Sequence, residues 1–407
     1  MKQILPVDEL SEAGYPAYLH GFSAIDSYLG RENAVAAHVL CGAGLADLAR
    51  LFEDLRYPGA VLADAAVDRE GKTWYFHCED AADAEYPRDL RRNRSTFRFL
   101  EFYQDCKNKR FYDLNNIYSI LRFIRDGKND DDSSCAGIAG DWHEEPNPGV
   151  EPSRALIDCA LILAHYFPDV ASRGINSISE KFRGSGGFSP PGIEEQRLLL
   201  AGLLGAANPG PGFELLKKSG FIAAYWPELA ALDDVDHSKE FHPEGNVWKH
   251  TLETFRYRKP GANGVFDLCL SLGLLLHDTG KPIAASFGNH RFDGHAELGA
   301  RAAARFLERL EFNPSLVQDV FFLVKNHMLP AALKRLPIAR TGETMASPLF
   351  PLLMELYRCD ESSSFKGLDG YYENSAAYQS YLRNVKNPYR TADGKKTNRN
   401  AILLGKK

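Results

Sequence analysis

The hydrophobic and polar positions of this chain follow two periods, and the change between them marks its main division. Thr73-Trp74-Tyr75-Phe76-His77-Cys78 is an aromatic, strand-like run. Leu45 to Leu55 repeats Leu, Ala and Phe at helical spacing. The first ~125 residues therefore read as mixed α and β. After Pro152 the pattern turns helical: Ser153 to Tyr166, Ile193 to Ala206, Pro211 to Ser219, and long runs from Val247 onward. Between them, Gly127 to Pro152 sets Asp130, Asp131 and Asp132 in a row among Gly, Ser and Pro, which predicts an exposed acidic linker. The pair Gly210-Pro211 is expected to stop a helix. We find no short repeat and no long low-complexity tract.

Composition narrows the class. The 407 residues suit two to three domains at ~150 residues each. Hydrophobic residues make 44% and charged residues 25%, which excludes a disordered, collagen-like or disulfide-stapled chain. No apolar run approaches the ~20 residues of a membrane helix, so no membrane partner is expected. The start, MKQILPVDELSEAGYPAY, has no basic region leading into an apolar stretch, so no secretory signal is expected. Seven cysteines, an odd number without a C-x-x-C pair, predict reduced thiols in a cytoplasmic protein.

Net charge is −6, with the segment from Lys366 to Lys407 at +6 and the remainder at −12. This balance argues against a general nucleic-acid binder but permits local phosphate contact at the tail. The tail also carries Tyr371, Tyr372, Tyr378, Tyr381 and Tyr389. Such interleaving suits single-stranded RNA. The reading favoured here is plainer: a helix packing Tyr371, Tyr378 and Tyr381 inward, followed by a disordered basic end.

Candidate chemistry concentrates in histidine. Six of 12 histidines (242, 250, 277, 290, 295, 327) fall within 86 residues. His250 lies on a probable helix, and His277-Asp278 ends the apolar run Leu272 to Leu276 ahead of Thr279-Gly280-Lys281-Pro282. His295 follows Phe292-Asp293-Gly294, His327 ends Val320 to Asn326, and Asp360 ends Leu352 to Cys359. A His-Asp pair at the polar end of an apolar helix can reach one metal, or its carboxylate can bridge two. Burying Asp and several His without a metal is costly unless each is paired. Imidazoles favour Fe, Mn, Ni, Co or Zn over Mg. Four histidines and two aspartates suffice for a two-metal centre that clamps phosphate and activates water. Lys281 could hold a phosphate oxygen as a point charge. His242 and His290, taken singly, read as structural.

This order, H…HD…H…H…D, resembles the HD superfamily of metal-dependent phosphohydrolases. The resemblance implies that His250, His277, Asp278 and Asp360 are metal ligands and that His295 and His327 match the extra positions of two-metal members. A larger resemblance surrounds it. Phe241-His242-Pro243-Glu244-Gly245-Asn246-Val247-Trp248-Lys249-His250-Thr251 looks like the entry to the HD domain of bacterial CCA-adding tRNA nucleotidyltransferases and poly(A) polymerases. Gly212 to Gly220, Trp226-Pro227-Glu228-Leu229 and Glu195-Gln196-Arg197 resemble that family's helical neck. The resemblance covers roughly residues 15 to 365, strongly from about 190 and weakly before.

The weak half departs from the family pattern. The family's head opens with a glycine pair and an Arg-Asp that cradle a triphosphate. Here Tyr18 to Arg31 keeps the length, Asp26 and the closing Leu-Gly-Arg, but carries Phe22 for the second glycine and Ile25 for the arginine. The Asp-x-Asp that holds Mg²⁺ falls near Ala36 and His38, and no such pair occurs in Glu32 to Phe52. The Arg-Arg-Asp-Phe-Thr segment matches Arg92-Asn93-Arg94-Ser95-Thr96 without its aspartate. The base-reading Glu-Asp-x-x-Arg matches Val150-Glu151-Pro152-Ser153-Arg154, where Arg154 and one acid remain.

The expected organisation is a degenerate nucleotidyltransferase-like α+β head at 1–126, an acidic linker at 127–152, a mostly α-helical neck at 153–235, an all-α HD domain at 236–365 and a basic tail at 366–407. The expected activity is metal-dependent phosphoester hydrolysis, with one or two divalent transition-metal ions as cofactor and Mg²⁺ as the less suited choice. The expected catalytic residues are Asp278 and Lys281; Lys281 and, as the resemblance implies, Arg154 are expected to contact substrate, an RNA 3′ end or a nucleotide phosphoester such as a 2′,3′-cyclic phosphate. Nucleotide addition is not expected. Two other readings stay open: a non-catalytic RNA-binding protein with a structural metal, and a working tRNA nucleotidyltransferase. Oligomeric state is left open by the sequence.

Overall fold

A computed structural model describes residues 5–31, 36–58, 63–79, 82, 100–113, 152–167, 175–176, 179–180, 190–236, 245–261, 265–288, 292–364 and 367–396. The linker prediction, the Arg92 to Thr96 match, Glu151, His242 and His290 lie outside these residues. The chain divides into two compact units: residues 1–203 with 211–219 and 260–265, and residues 204–210 with 220–259 and 266–407.

The first unit is built on a six-stranded sheet. Its elements begin α1 (Pro6–Glu12), β1 (Ala17–His20), α2 (Phe22–Tyr28), β2 (Ala36–Cys41), α3 (Leu45–Leu51), β3 (Ala65–Arg69), β4 (Lys72–Cys78), β5 (Phe102–Asp105) and β6 (Phe111–Asp113). Strand order is β3-β4-β2-β1-β5-β6, with β2 and β4 parallel and the other neighbours antiparallel. Alternation along the strands separates two faces. Ala37, Val39, Cys41, Val67, Trp74 and Phe76 pack with Val7 and Leu10 of α1 and Leu48 of α3 in one core. His38, Leu40, Tyr75 and His77 belong to the other face, where Tyr18, Leu40 and Tyr103 form a smaller cluster. The strand expected at Thr73 to Cys78 is β4, one residue longer. The helix expected over Leu45 to Leu55 ends at Leu51, where extended Phe52 turns into the core.

The unit continues with α4 (Pro152–Tyr166), α5 (Ile193–Leu204, the last residue falling in the second unit) and α6 (Gly210–Lys218, the first residue falling in the second unit). The Gly210-Pro211 pair starts α6 rather than stopping a helix, which corrects the sequence expectation. The physical reason is that the first-turn N–H groups of a helix have no intrahelical partner, so a proline there forfeits nothing. Gly210 N–H is instead taken by the Asn208 side chain at 3.1 Å.

The second unit is helical: α7 (Phe221–Tyr225), α8 (Pro227–Ala230), α9 (Val247–Thr254), α10 (Leu268–Leu276), α11 (Gly280–Ser286), α12 (His295–Arg309), α13 (Pro314–Asn326), α14 (Ile338–Met345), α15 (Phe350–Ser362) and α16 (Asp369–Lys386). α9 starts at Asn246, whose side chain accepts from Lys249 N–H, and α10 at Asp267, which accepts from Leu270 N–H. α10 is buried nearly all round, as its unbroken Leu run requires. The tail's helix is α16: Tyr378 and Tyr381 are buried, Tyr378 packs on Phe350, and Tyr381 donates to Gly342 O at 3.1 Å. Tyr371 stands beside Tyr357, whereas Tyr372 and Tyr389 are exposed. No helix among the described residues is long and apolar enough to cross a membrane.

Candidate metal centre

Five helices and one tight turn bring the predicted residues together. His250 projects from the middle of α9, and His277 caps the C-terminus of α10 with Asp278 next in the turn. His295 opens α12, His327 caps α13, and Asp360 lies in the last turn of α15. Two glycines permit the approach. A Cβ on Gly280 would lie 1.9 Å from the carbonyl oxygen of His295, and one on Gly299 would lie 3.0 Å from Gly280 N. The His277-Asp278 turn can therefore rest backbone to backbone on α12.

The six side chains form two groups. Ligand atoms of His250, His277 and Asp360 lie within 4.8 Å of one another, and so do those of Asp278, His295 and His327. Asp278 touches both: Oδ2 is 3.2 Å from His277 Nε2, while Oδ1 is 3.6 Å from His295 Nε2 and 4.0 Å from His327 Nε2. Lys281 Nζ lies 2.6 Å from Asp278 Oδ2. His250 Nε2 is 3.0 Å from Asp360 Oδ1. The side chains of His250, His277, Asp278 and His327 are almost fully buried, while Asp360 and Lys281 remain 25% and 15% exposed and mark the solvent side.

The donor chemistry fits a cation. His277, His295 and His327 each place Nδ1 2.7–2.8 Å from the carbonyl three residues earlier, of Leu274, Phe292 and Val324. A carbonyl only accepts, so Nδ1 carries the proton and Nε2 the lone pair. His277 Nε2 is buried and, among the described residues, has no well-formed hydrogen bond, its nearest acceptor being Asp278 Oδ2 at 3.2 Å. His295 Nε2 and His327 Nε2 face each other at 3.0 Å, two lone pairs in contact that a shared cation would reconcile. Burial drives the His327 imidazole down to about 3 and lowers His295 as well, keeping both neutral. Burial pushes Asp278 and Asp360 up, but His277 and Lys281 outweigh it at Asp278, and the His250 hydrogen bond and charge outweigh it at Asp360. Both carboxylates are held below their ordinary range and so are ionised at neutral pH, the form in which a carboxylate ligates a cation.

Two contributors were not singled out from the sequence. Gly299 is the other half of the glycine contact, and Ser363 holds its Oγ 3.3 Å from His250 Nδ1. The available signals were a glycine four residues after His295, and a serine three residues after Asp360 on one helix end. Arg154 falls in the first turn of α4, and its side chain lies outside the described residues.

The residues matched to the family's head motifs contact one another and α4. Phe22, at the first position of α2, stacks on His165 with ring centroids 3.8 Å apart. Asp26 accepts from Tyr166 Oη at 2.8 Å, and Arg31 lies over the Tyr166 ring. Ile25 is fully buried. On β2, His38 Nδ1 meets His77 Nε2 at 3.1 Å where the expected carboxylates would stand. Asp68, on outer strand β3, pairs with Arg56 and Thr73, and Asp64 accepts from Cys78 N–H.

Residues 247–361 match the family model of the HD domain. The CC-adding tRNA nucleotidyltransferase of Thermus thermophilus is 36% identical over 145 residues, 34% of this chain and 32% of that protein. The Multifunctional CCA protein of Halorhodospira halophila is 35% identical over 124 residues, 30% of this chain and 28% of that protein. These matches span about a third of the curated relatives' length. The crystal structure of the Bacillus stearothermophilus CCA-adding enzyme with CTP overlays with a TM-score of 0.45 at 12% identity, covering 92% of this chain and 81% of that one.

Proposed function

We propose, for a chain that carries an HD domain and is related to the bacterial CCA-adding and poly(A) polymerase family, that its working centre is a two-metal phosphohydrolase site. The observation that carries this reading is Asp278, whose two oxygens face two different ligand groups. His250, His277 and Asp360 would hold one ion, and Asp278, His295 and His327 the other. Their nitrogen-rich set suits Mn, Fe, Ni, Co or Zn better than Mg. Bound there, such ions supply charge neutralisation on phosphate and a nucleophile at neutral pH.

The chain's own residues do the rest. Backbone carbonyls orient three imidazoles, and the Gly280–Gly299 contact sets the distance between the groups. Lys281, partly exposed at the start of α11, is the cation positioned to take a phosphate oxygen. The solvent-facing Asp360 and Lys281 favour an open, catalytic site over a closed structural one. The substrate class is an RNA 3′ end or a nucleotide phosphoester; the relatives' names, which attach to tRNA, support the RNA choice. Arg154 is assigned to that substrate through its match to the family's base-reading motif. The relatives are named as transferases, but we assign no nucleotide transfer to this head, because Phe22 packs on His165 and β2 carries no carboxylate. The six described cysteines are all free thiols, which supports a cytoplasmic location.

The test is elemental analysis of the purified protein, then a phosphoesterase panel that includes 2′,3′-cyclic nucleotides, with the metal found. Bound transition metal and metal-dependent turnover are expected. Under ~0.2 metal per chain after growth with Mn, Fe, Ni or Zn would sink the reading. Tight metal without turnover on any phosphoester would favour the structural-metal, RNA-binding alternative.

A further inference from the structure

Three of the four clustered histidines turn Nδ1 onto a backbone carbonyl, and the fourth meets a side-chain hydroxyl. His277 and His327 stand at helix C-termini and His295 at a helix start, where each turns Nδ1 onto a carbonyl of its own chain segment. His250 lies inside α9, where the carbonyls of the preceding turn belong to the helix ladder. Its Nδ1 faces the Oγ of Ser363 instead, at 3.3 Å, across 113 residues of sequence. Ser363 has one hydroxyl proton, which it donates to Asp360 O at 2.7 Å. Its oxygen is therefore left as an acceptor toward His250.

We propose that Ser363 is a positioning residue for the first ligand group: by accepting from His250 Nδ1–H it fixes the tautomer that presents Nε2 to the ion shared with His277 and Asp360. The inference rests on the two-metal reading above. Ser363 directly follows α15, one turn after Asp360, so one helix end supplies both a ligand and the group that orients its neighbour. Ser363 is buried, so water does not readily replace its hydroxyl. In the other group the imidazoles of His295 and His327 are set by main chain, not by a hydroxyl. The two groups therefore differ in how mutation can reach them.

The experiment is titration of the metal-free, full-length protein with Co²⁺, followed by calorimetry and by the visible absorption of the bound ion. Wild type should bind in two steps. Ser363→Ala should weaken one step by about 10–100-fold and leave the other within about twofold, the range for loss of an outer-shell partner. Ser363→Thr and Ser363→Val form a shape-matched pair, so their difference reads the hydroxyl even if either costs stability. Thr should keep both steps and Val should lose affinity in one. Unchanged affinities in Ala and Val, or equal weakening of both steps, would overturn the role of Ser363. Absence of cobalt binding by wild type would instead bring down the two-metal reading itself, and this inference with it.

Discussion

Gly280 lies so close to His295 that a Cβ at position 280 would sit 1.9 Å from the His295 carbonyl oxygen. The next obstacle, Gly299 N at 2.5 Å, is also backbone, so no flexible side chain can yield. Gly280→Ala must therefore push the His277-Asp278 turn away from α12. We expect a loss of about 1–3 kcal/mol or more, typical of overpacking, and a fall in metal content. Urea unfolding and elemental analysis check this. Gly342→Ala is the control, since its Cβ would meet nothing nearer than 3.4 Å. Equal behaviour of the two variants would show that the backbone contact does not set the site.

Asp278→Ala is expected to abolish phosphoester hydrolysis while leaving helical circular dichroism largely intact. The carboxylate serves both ligand groups, so its loss should deplete both, not one. It also removes the partner 2.6 Å from Lys281 Nζ, and that cation can turn outward because it is partly exposed. Turnover and metal content near wild type would rule out the bridging assignment.

His38 gives the first unit a pH dependence. Burial, then the neighbouring His77, lowers its imidazole to about 3 from an ordinary 6.5. The unfolded chain therefore binds more protons than the folded one below pH 6.5, so stability rises with pH across that window. His38 favours the folded state fully above pH 6.5, and that contribution drains away as pH falls toward 3. The slope for one such group reaches about 1.4 kcal/mol per pH unit. Urea midpoints of wild type should drop between pH 7 and pH 5, and His38→Gln should flatten part of that drop. Parallel profiles for the two proteins would mean that His38 titrates normally.

What could be read from the sequence was what is local. The Leu run before His277 announced a buried helix ending at the His-Asp pair, and α10 does end there. The Tyr spacing of the tail announced a packed helix, and Tyr378 and Tyr381 of α16 are buried. Proline chemistry misled at Gly210-Pro211, because the same residue breaks a helix interior and suits a helix start. What was illegible is tertiary. Ser363 meets His250 and Gly299 meets Gly280 only once helices distant in sequence pack, and neither serine nor glycine carries a pattern that says so. The His38–His77 contact likewise exists only through the parallel pairing of β2 and β4.

The head yields the last prediction. Purified protein should add neither CMP nor AMP to tRNA lacking its 3′ end, with Mg²⁺ or Mn²⁺ present. Phosphoryl transfer depends on positioning and metal electrostatics. A glycine in place of Phe22 would let backbone approach a phosphate; the ring instead stacks on His165. Ile25, fully buried, supplies no cation. His38, at the expected metal position, is engaged with His77, and imidazoles do not neutralise a divalent ion as two carboxylates do. Asp68 is held by Arg56 and Thr73 on the outer strand, and Asp64 by Cys78 N–H. Phe22→Gly alone should therefore not confer addition, because opening the turn puts no carboxylate on β2. A fold can persist after its chemistry is lost, so tRNA binding by the head is compatible with this outcome. Robust CCA addition by pure wild-type protein would overturn the assignment. Asp64→Ala, Asp68→Ala and Glu79→Ala, the last a buried acid just past β4, would then identify the carboxylates that carry it.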